Sequence, residues 1–362
     1  TSDLWDAIEH TSGEPVRRMM DSWIWQPGFP LVSVRRDGDE LVLDQRRFSF
    51  DPADDTAQLW SVPVRIRQGE GDDASTESVL LEGDEVRVPA LGGPVVVNAG
   101  GHGFFRVSYS DDLRALLTAD VVAGMTTLER YNLVDDAWNA VVAGHMDAIE
   151  YVELVERFGD EREHGVWQSI AIGLRAVGRL TGDDERARDG FRRRVAALVQ
   201  PAYGALGEPV AGEPDLTARL RGLLLSLMAV LAADPDARSR ARAVYAAWGD
   251  DPASVDAELA AAATGVMSAI GDADDYEHML ARAMGGGTPQ EQLRHLYALA
   301  EFDDAALMER TCELAVSDRV RTQNAPFLLR AAIGNRHHGH QAWEYVRRNW
   351  PLLDERFPRN TM

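Results

Sequence analysis

The hydrophobic period of this chain changes twice, from helical to two-fold near Pro30 and back to helical after Tyr109. From Leu31 to Tyr109 the apolar residues recur at period two, in the runs LVSV, ELVLD, LWSVPVRIR, EVRVP, PVVVN and FFRVSY. The pattern is clearest from Leu59 to Arg67, where Trp60, Val62, Val64 and Ile66 share one face and Ser61, Pro63, Arg65 and Arg67 take the other. Asp37-Gly38-Asp39 is set for a tight hairpin, while Gly69 to Asp73 and Leu91-Gly92-Gly93-Pro94 read as looser loops. Short strands at this spacing predict a small β-sandwich, with Pro63 placing its strand at an edge.

After Tyr109 the period becomes helical. Thr127 to Ala143 puts Tyr131, Val134, Trp138, Val141 and Val142 on one face, and Asp215 to Leu231 does the same with Leu216, Leu220, Leu223, Leu224, Leu227 and Leu231. More such runs follow, divided by Gly182-Asp183-Asp184, Ala233-Asp234-Pro235 and the linker Gly285-Gly286-Gly287-Thr288-Pro289. A succession of helices without a strand between them predicts stacked αα hairpins of the HEAT or armadillo kind. The expected fold is therefore multidomain and mainly α, a small β-sandwich followed by an αα superhelix. The expected divisions are a helical segment over 1–30, the sandwich over 31–109 and the superhelix over 110–362. In the first segment DLWDAIEHTSGEP reads as a helix with Gly13 as its C-cap. A second short helix opens at Pro15, carries Val16, Met19, Met20, Trp23 and Ile24 on one face, and is stopped by Pro27, Gly28 and Pro30. That face predicts either folding back on the sandwich or a homodimer through these residues.

Composition excludes several functions. The formal charge is −22, from 59 acidic residues against 37 basic ones, which argues against a nucleic-acid partner. Every basic residue is Arg, so no lysine can form a Schiff base. No apolar run approaches the ~18 residues of a membrane span, so no membrane partner is expected. Thr1 reads as an internal point of a longer chain. Cys312 is alone, which rules out an internal disulfide, and it is expected to be a buried thiol in a reducing cytoplasm. No G-x-S-x-G elbow or phosphate-binding Gly-Lys-Ser/Thr motif occurs, and none of the nine His opens an H-E-x-x-H turn. His337, His338 and His340 form a local cluster without a carboxylate or Cys at a defined helical spacing, and read as a solvated turn rather than a metal site. Asp135 and Asp136 read as an Arg partner and a surface charge.

Stretches at the start, middle and end of the chain together resemble one family. DLWDAIE followed by SGEPVRRMMDSWIWQPGFPLVSV resembles the end of the catalytic domain of zinc-dependent M1 aminopeptidases, the aminopeptidase N type. Val97 to Tyr109 is similar to that family's Asn, glycine turn and Gly-Phe-Tyr-Arg-Val-x-Tyr, with Phe105 where Tyr is usual, which keeps packing but loses a hydroxyl. LERYNLVDDAWNAVVAG, SDRVRTQNAPFLL and GHQAWEYVRRNWPLLDERF resemble the first and last signatures of its C-terminal helical domain, shared with endoplasmic-reticulum aminopeptidases.

The resemblance implies a parent enzyme whose zinc is held by two His of H-E-x-x-H and a later Glu. That motif and Gly-x-Met-Glu-Asn are absent here, so no catalytic residue, metal ligand or cofactor is expected in this segment. It also implies peptides as partners, with the helical domain a lid whose concave face holds the remote part of the peptide. Arg130, Arg321 and Gln323 are then the peptide-binding candidates, because guanidinium can grip a carboxylate by both oxygens. For Arg130 the competing reading is an ion pair with Asp135 or Asp136. An independent helical-repeat scaffold for protein interactions is the alternative function, and the catalytic-domain ending over Thr1 to Pro30 separates the two.

Overall fold

Residues 2–54, 56–182, 184–285 and 287–357 are described by a computed structural model, with the side chain of Asp72 outside that description. Gly286 of the expected Gly285 to Gly287 linker therefore lies outside the described residues. The chain forms two compact units, Thr1–Leu174 and Arg175–Met362. The change from strands to helices comes earlier, since the last strand ends at Tyr109 and the first following helix begins at Asp111.

The first unit opens with α1 (Ser2–Ser12) and α2 (Val16–Ile24), separated by Gly13 at φ +74. Strands β1 (Pro30–Asp37) and β2 (Glu40–Arg47) form a hairpin in which Asp37 pairs with Glu40 and Gly38 takes φ +63, a conformation open to glycine at no steric cost. Then come β3 (Val62–Gln68), β4 (Ser75–Leu81), β5 (Glu85–Pro89), β6 (Val95–Val97) and β7 (Arg106–Tyr109). One sheet has the order β5-β2-β1-β7, with β1 and β7 parallel; the other has the order β4-β3-β6. Their facing sides bury Val32, Val34, Leu41, Leu43, Trp60, Val62, Val64, Ile66, Leu81, Val95, Val97, Phe105 and Val107, so the alternation read from Leu59 to Arg67 points its apolar face inward.

Two expectations change. β3 is the central strand of its sheet, not an edge. It tolerates Pro63 because β6 pairs with it only over Ile66–Gln68, leaving the Pro63 side of that edge without a ladder to donate to. β4 is a strand that the apolar pattern does not announce: its first half, Ser75-Thr76-Glu77, is polar and it forms by pairing with β3 along its whole length.

Helices α3 (Asp111–Ala115), α4 (Ala119–Ala123), α5 (Thr127–Val142) and α6 (Ala148–Val155) complete the first unit, with α7 (His164–Leu180) running to its end and beyond. In α5 Tyr131 and Val142 are exposed and the buried residues are Glu129, Leu133, Val134, Asp136 and Ala137. The helix is thus rotated away from its most apolar face, because the sandwich supplies arginines for its acids.

The second unit continues with α8 (Glu185–Leu206), α9 (Asp215–Ser226), α10 (Pro235–Asp250), α11 (Ala257–Ile270), α12 (Ala273–Gly285) and α13 (Pro289–Ala298). It ends with α14 (Ala305–Ala315), α15 (Ala325–Ile333), α16 (Gly339–Arg348) and α17 (Trp350–Arg356). Side chains of Asp184, Asp234, Asp256, Thr288 and Asp304 each accept a backbone N–H at a helix start, so the polar breaks read in the sequence are N-caps. A π turn, Leu227–Leu231, extends α9 before Ala233 reverses the chain at φ +55. Packing runs between near neighbours: α9 on α11, α10 on α11, α11 on α13, α12 on α13, α13 on α15 and α14 on α16. Contacts to the next helix and the next but one are those of stacked αα hairpins, around a core that includes Tyr276, Met279, Leu299, Phe302, Met308 and Leu328.

Candidate functional site

A polar cluster of the first unit sits where the loop before β7 meets α5. Asn98, at φ +63, bonds Gly103 twice, accepting from its N–H at 2.8 Å and donating to its C=O at 3.1 Å. Gly103 must be glycine, since a Cβ would overlap the ring of Phe105, which lies in the sandwich core and needs no hydroxyl partner there. Glu129 closes a capping box with Thr126 and also takes both arms of Arg67, at 2.8 and 3.1 Å, and the Gly100 N–H at 2.7 Å. Burial pushes its carboxyl up, but these donors outweigh that and hold it below the usual glutamate range.

Next to it Arg106 donates from Nη1 to Asp135 at 2.7 Å and Asp136 at 3.0 Å while lying over the Phe48 ring at 5.1 Å. Asp136 accepts the Val107 N–H as well, and burial raises its carboxyl to about 7. Asp135 and Asp136 thus share one arginine, and the second of them is buried rather than a surface charge. Tyr109 accepts the Val97 N–H at 2.9 Å. The carboxylates of Glu129, Asp135 and Asp136 are all engaged by groups of the chain, so the cluster builds the fold.

Arg130 belongs to a second such cluster. It does not pair with Asp135 or Asp136, because those are taken by Arg106. Its guanidinium forks onto Glu161 at 2.6 and 3.1 Å and donates to the Met125 C=O at 2.6 Å. Glu161 is buried and also receives the N–H groups of Arg162 and Glu163, which anchors the start of α7.

Arg321 and Gln323 lie together in the second unit, exposed in the turn before α15, with no side-chain hydrogen bond or ion pair among the described residues. The turn is held by its backbone, the Arg321 C=O accepting from Asn324 at 2.8 Å and Ala325 at 3.2 Å. Just before it Ser317 and Arg319 line an open groove of about 200 Å³ with Tyr276, Leu280, Arg310, Glu313 and Leu314. Arg310 is occupied by Glu277 and lies over the Tyr276 ring, whereas Arg319 makes no ion pair among the described residues. Arg319 went unnoticed in the sequence; its alternation with Arg321 across Val320, which is buried, was the available signal.

The His cluster does find a carboxylate. Asp303, from the turn before α14, lies 3.6 Å from His337 Nε2 and 3.2 Å from His338 Nε2, a partner that local spacing could not reveal. His337 is lowered, by burial first and then by Arg336, against the pull of Asp303. Among the described residues no group of three His, Cys, Asp or Glu side chains is arranged to hold a metal. Cys312 is buried, which pushes its thiol up to about 12. A cavity of about 520 Å³ in the first unit is lined by Gln45, Arg46, Phe48, Asp84 and His145 among others, with Arg47 already paired to Asp54 at 2.8 Å. Burial and Arg46 lower His145, and it has no side-chain hydrogen bond among the described residues, so no acid–base pair is assembled there. No helix of the described residues is long and apolar enough to cross a membrane.

Residues 94–362 match the family profile of the ERAP1-like C-terminal domain. Along 98% of its length the chain is 28% identical to aminopeptidase M1 of Arabidopsis thaliana, covering 42% of that protein. It is 26% identical to aminopeptidase A of Gloydius brevicauda over 99% of this chain and 39% of that one. It is 24% identical to aminopeptidase N of Lactococcus lactis over 98% of this chain and 42% of the relative. The chain thus spans about four tenths of the length of these curated relatives.

Proposed function

Since the chain belongs to the ERAP1-like C-terminal domain family, we propose that it is the noncatalytic C-terminal portion of a zinc-dependent M1 aminopeptidase that removes N-terminal residues from peptides. The observation that carries this reading is the extent of the match: sandwich and helical array together align with aminopeptidases along nearly the whole chain. In that enzyme the helical array serves as a lid and chamber for the peptide, and a cytoplasmic setting suits the single buried thiol of Cys312. Arg321 and Gln323, uncommitted beside the Arg319 groove, are the residues to meet a peptide. Arg130 holds Glu161 and acts on architecture. The apolar side chains exposed on α1 and at the end of α2, including Leu4, Ile8, Ile24 and Trp25, face the catalytic domain in the full enzyme and a second copy in the isolated chain.

The test is the product of the whole reading frame. An H-E-x-x-H motif upstream of Thr1, with aminopeptidase activity lost to a chelator, supports the proposal. Within that enzyme Arg321→Gln with Arg319→Gln should raise KM for peptides several residues long while leaving single aminoacyl reporters unchanged. A frame without the motif, whose product binds a protein partner through the helices, would establish the scaffold instead.

A further inference from the structure

In the second unit α10, α12 and α13 meet through a cluster of aromatic and imidazole rings. Trp248 of α10 stacks on His295 of α13 with ring centroids 5.3 Å apart and on Tyr245 at 6.0 Å, while Tyr245 meets the His278 ring of α12 edge-on at 6.0 Å. Arg282, also on α12, lies 4.6 Å from the centre of the Trp248 ring and donates to the Gly249 C=O at 3.1 Å. His295 is 1% exposed, and its Nδ1 lies 2.8 Å from the Glu291 C=O one turn back along α13. A carbonyl oxygen only accepts, so Nδ1 carries the proton and Nε2 of the neutral ring is a lone pair. That Nε2 and the Tyr245 hydroxyl are both buried with no hydrogen-bond partner among the described residues.

The surroundings suit the neutral ring and oppose the charged one. A second proton would go on Nε2, which has no acceptor in reach among the described residues, and a buried charge without a partner is strongly disfavoured. The charges that act on the ring are those of Arg282 and His278 from α12 and Arg294 from α13 itself, with no carboxylate among them. The Trp248 face would attract an imidazolium, but it already receives Arg282. Acids on the neighbouring elements are occupied: Glu291 accepts the Thr288 N–H, Asp275 of α12 lies 3.9 Å from Arg242, and Glu258 of α11 lies 3.4 Å from Arg219. Glu301, in the turn after α13, faces Arg179 and Arg175, and the charged residue of α15 is the exposed Arg330. Burial first, then Arg282, Arg294 and His278, hold His295 below the usual histidine value against the pull of the Glu291 carbonyl.

We propose that His295 is an acid-sensitive latch in the helical array: as a neutral ring it closes the packing of α10, α12 and α13, and its protonation loosens that layer. Protonated, the ring is a second cation against the indole that already carries Arg282, and moving α13 away from α10 and α12 lets Nε2 reach water. Since the folded-state value lies below the ordinary 6.5, the packing is at full strength above that pH and weakens as pH falls from there toward the folded value. The device rests on the fold of the second unit alone and holds whichever function the array serves.

The test is hydrogen–deuterium exchange of the full chain between about pH 8 and about pH 5, corrected for the intrinsic pH dependence of exchange. In parallel, NMR of histidine-labelled protein follows the His295 ring directly, a measurement that needs no variant and so stands even where a substitution impairs folding. Protection of α10, α12 and α13 should fall below pH 6.5 by up to about tenfold per pH unit, the slope for one proton taken up, and the His295 ring should titrate below 6.5. His295→Gln, which removes the titrating group, should abolish the response, whereas His278→Gln, which leaves the buried ring in place, should keep it. A His295 ring that titrates at or above 6.5, protection of these helices that does not change with pH, or an acid response undiminished in His295→Gln or lost in His278→Gln overturns the proposal.

Discussion

Glu129→Ala should be the most damaging single substitution at the meeting of loop and α5. The carboxylate is almost wholly shielded, with its side chain 1% exposed, and accepts four hydrogen bonds: two from Arg67, one from Gly100 and one from Thr126. Removing one partner of a buried pair costs about 3–5 kcal/mol. Arg67 is 24% exposed and can recover water, which reduces that share. The two backbone N–H groups add about 1 kcal/mol each when left unpaired. A loss of about 4 kcal/mol follows, or about 8–16 °C in melting temperature for a unit of this size.

The pH dependence gives an independent check. Because the folded-state carboxyl lies below its ordinary 4.5, its stabilising share is present above that pH and lost as pH falls through the folded value. The melting difference between wild type and Glu129→Gln should therefore be largest near neutrality and shrink below about pH 4.5. Thermal unfolding followed by near-ultraviolet circular dichroism measures both. Glu129→Ala melting within about 1 kcal/mol of wild type, or a difference that grows on acidification, would refute the reasoning.

Gly103→Ala should destabilise by about 1–3 kcal/mol through overlap with Phe105, read as a lower melting temperature. The purified chain should hold no stoichiometric zinc and cleave no aminoacyl reporter; one tight equivalent with chelator-sensitive turnover refutes this, and metal analysis with an activity assay decides it. Sedimentation should show concentration-dependent association weakened by Trp25→Asp, since that side chain is 79% exposed; a monomer at every concentration removes the second copy from the account.

Trp23 shows how the two expectations for the first helices divide. Its ring packs 6.1 Å from Trp60 and its Nε1 donates to the Ser61 C=O at 3.1 Å, so this part of the apolar face folds back on the sandwich. Ile24 and Trp25 stay exposed. The periodicity named the apolar side chains but could not say which of them the sandwich would reach.

Local pattern determined what depends on near neighbours in the chain. Alternation from Leu59 to Arg67 fixed which side chains enter the sandwich, Gly38 and Gly13 marked their turns, and the Asp and Thr breaks proved to be helix caps. Tertiary structure decided whatever depends on partners far away in sequence. Asp136 is buried because Arg106 arrives from β7, Arg130 is committed because Glu161 stands 31 residues on, and His338 meets Asp303. Arg336 donates to the C=O of Gly178, 158 residues away, a contact that no local pattern announces. Periodicity records how one element divides between core and water, but a charge is defined by the groups folded against it, and those come from elsewhere in the chain.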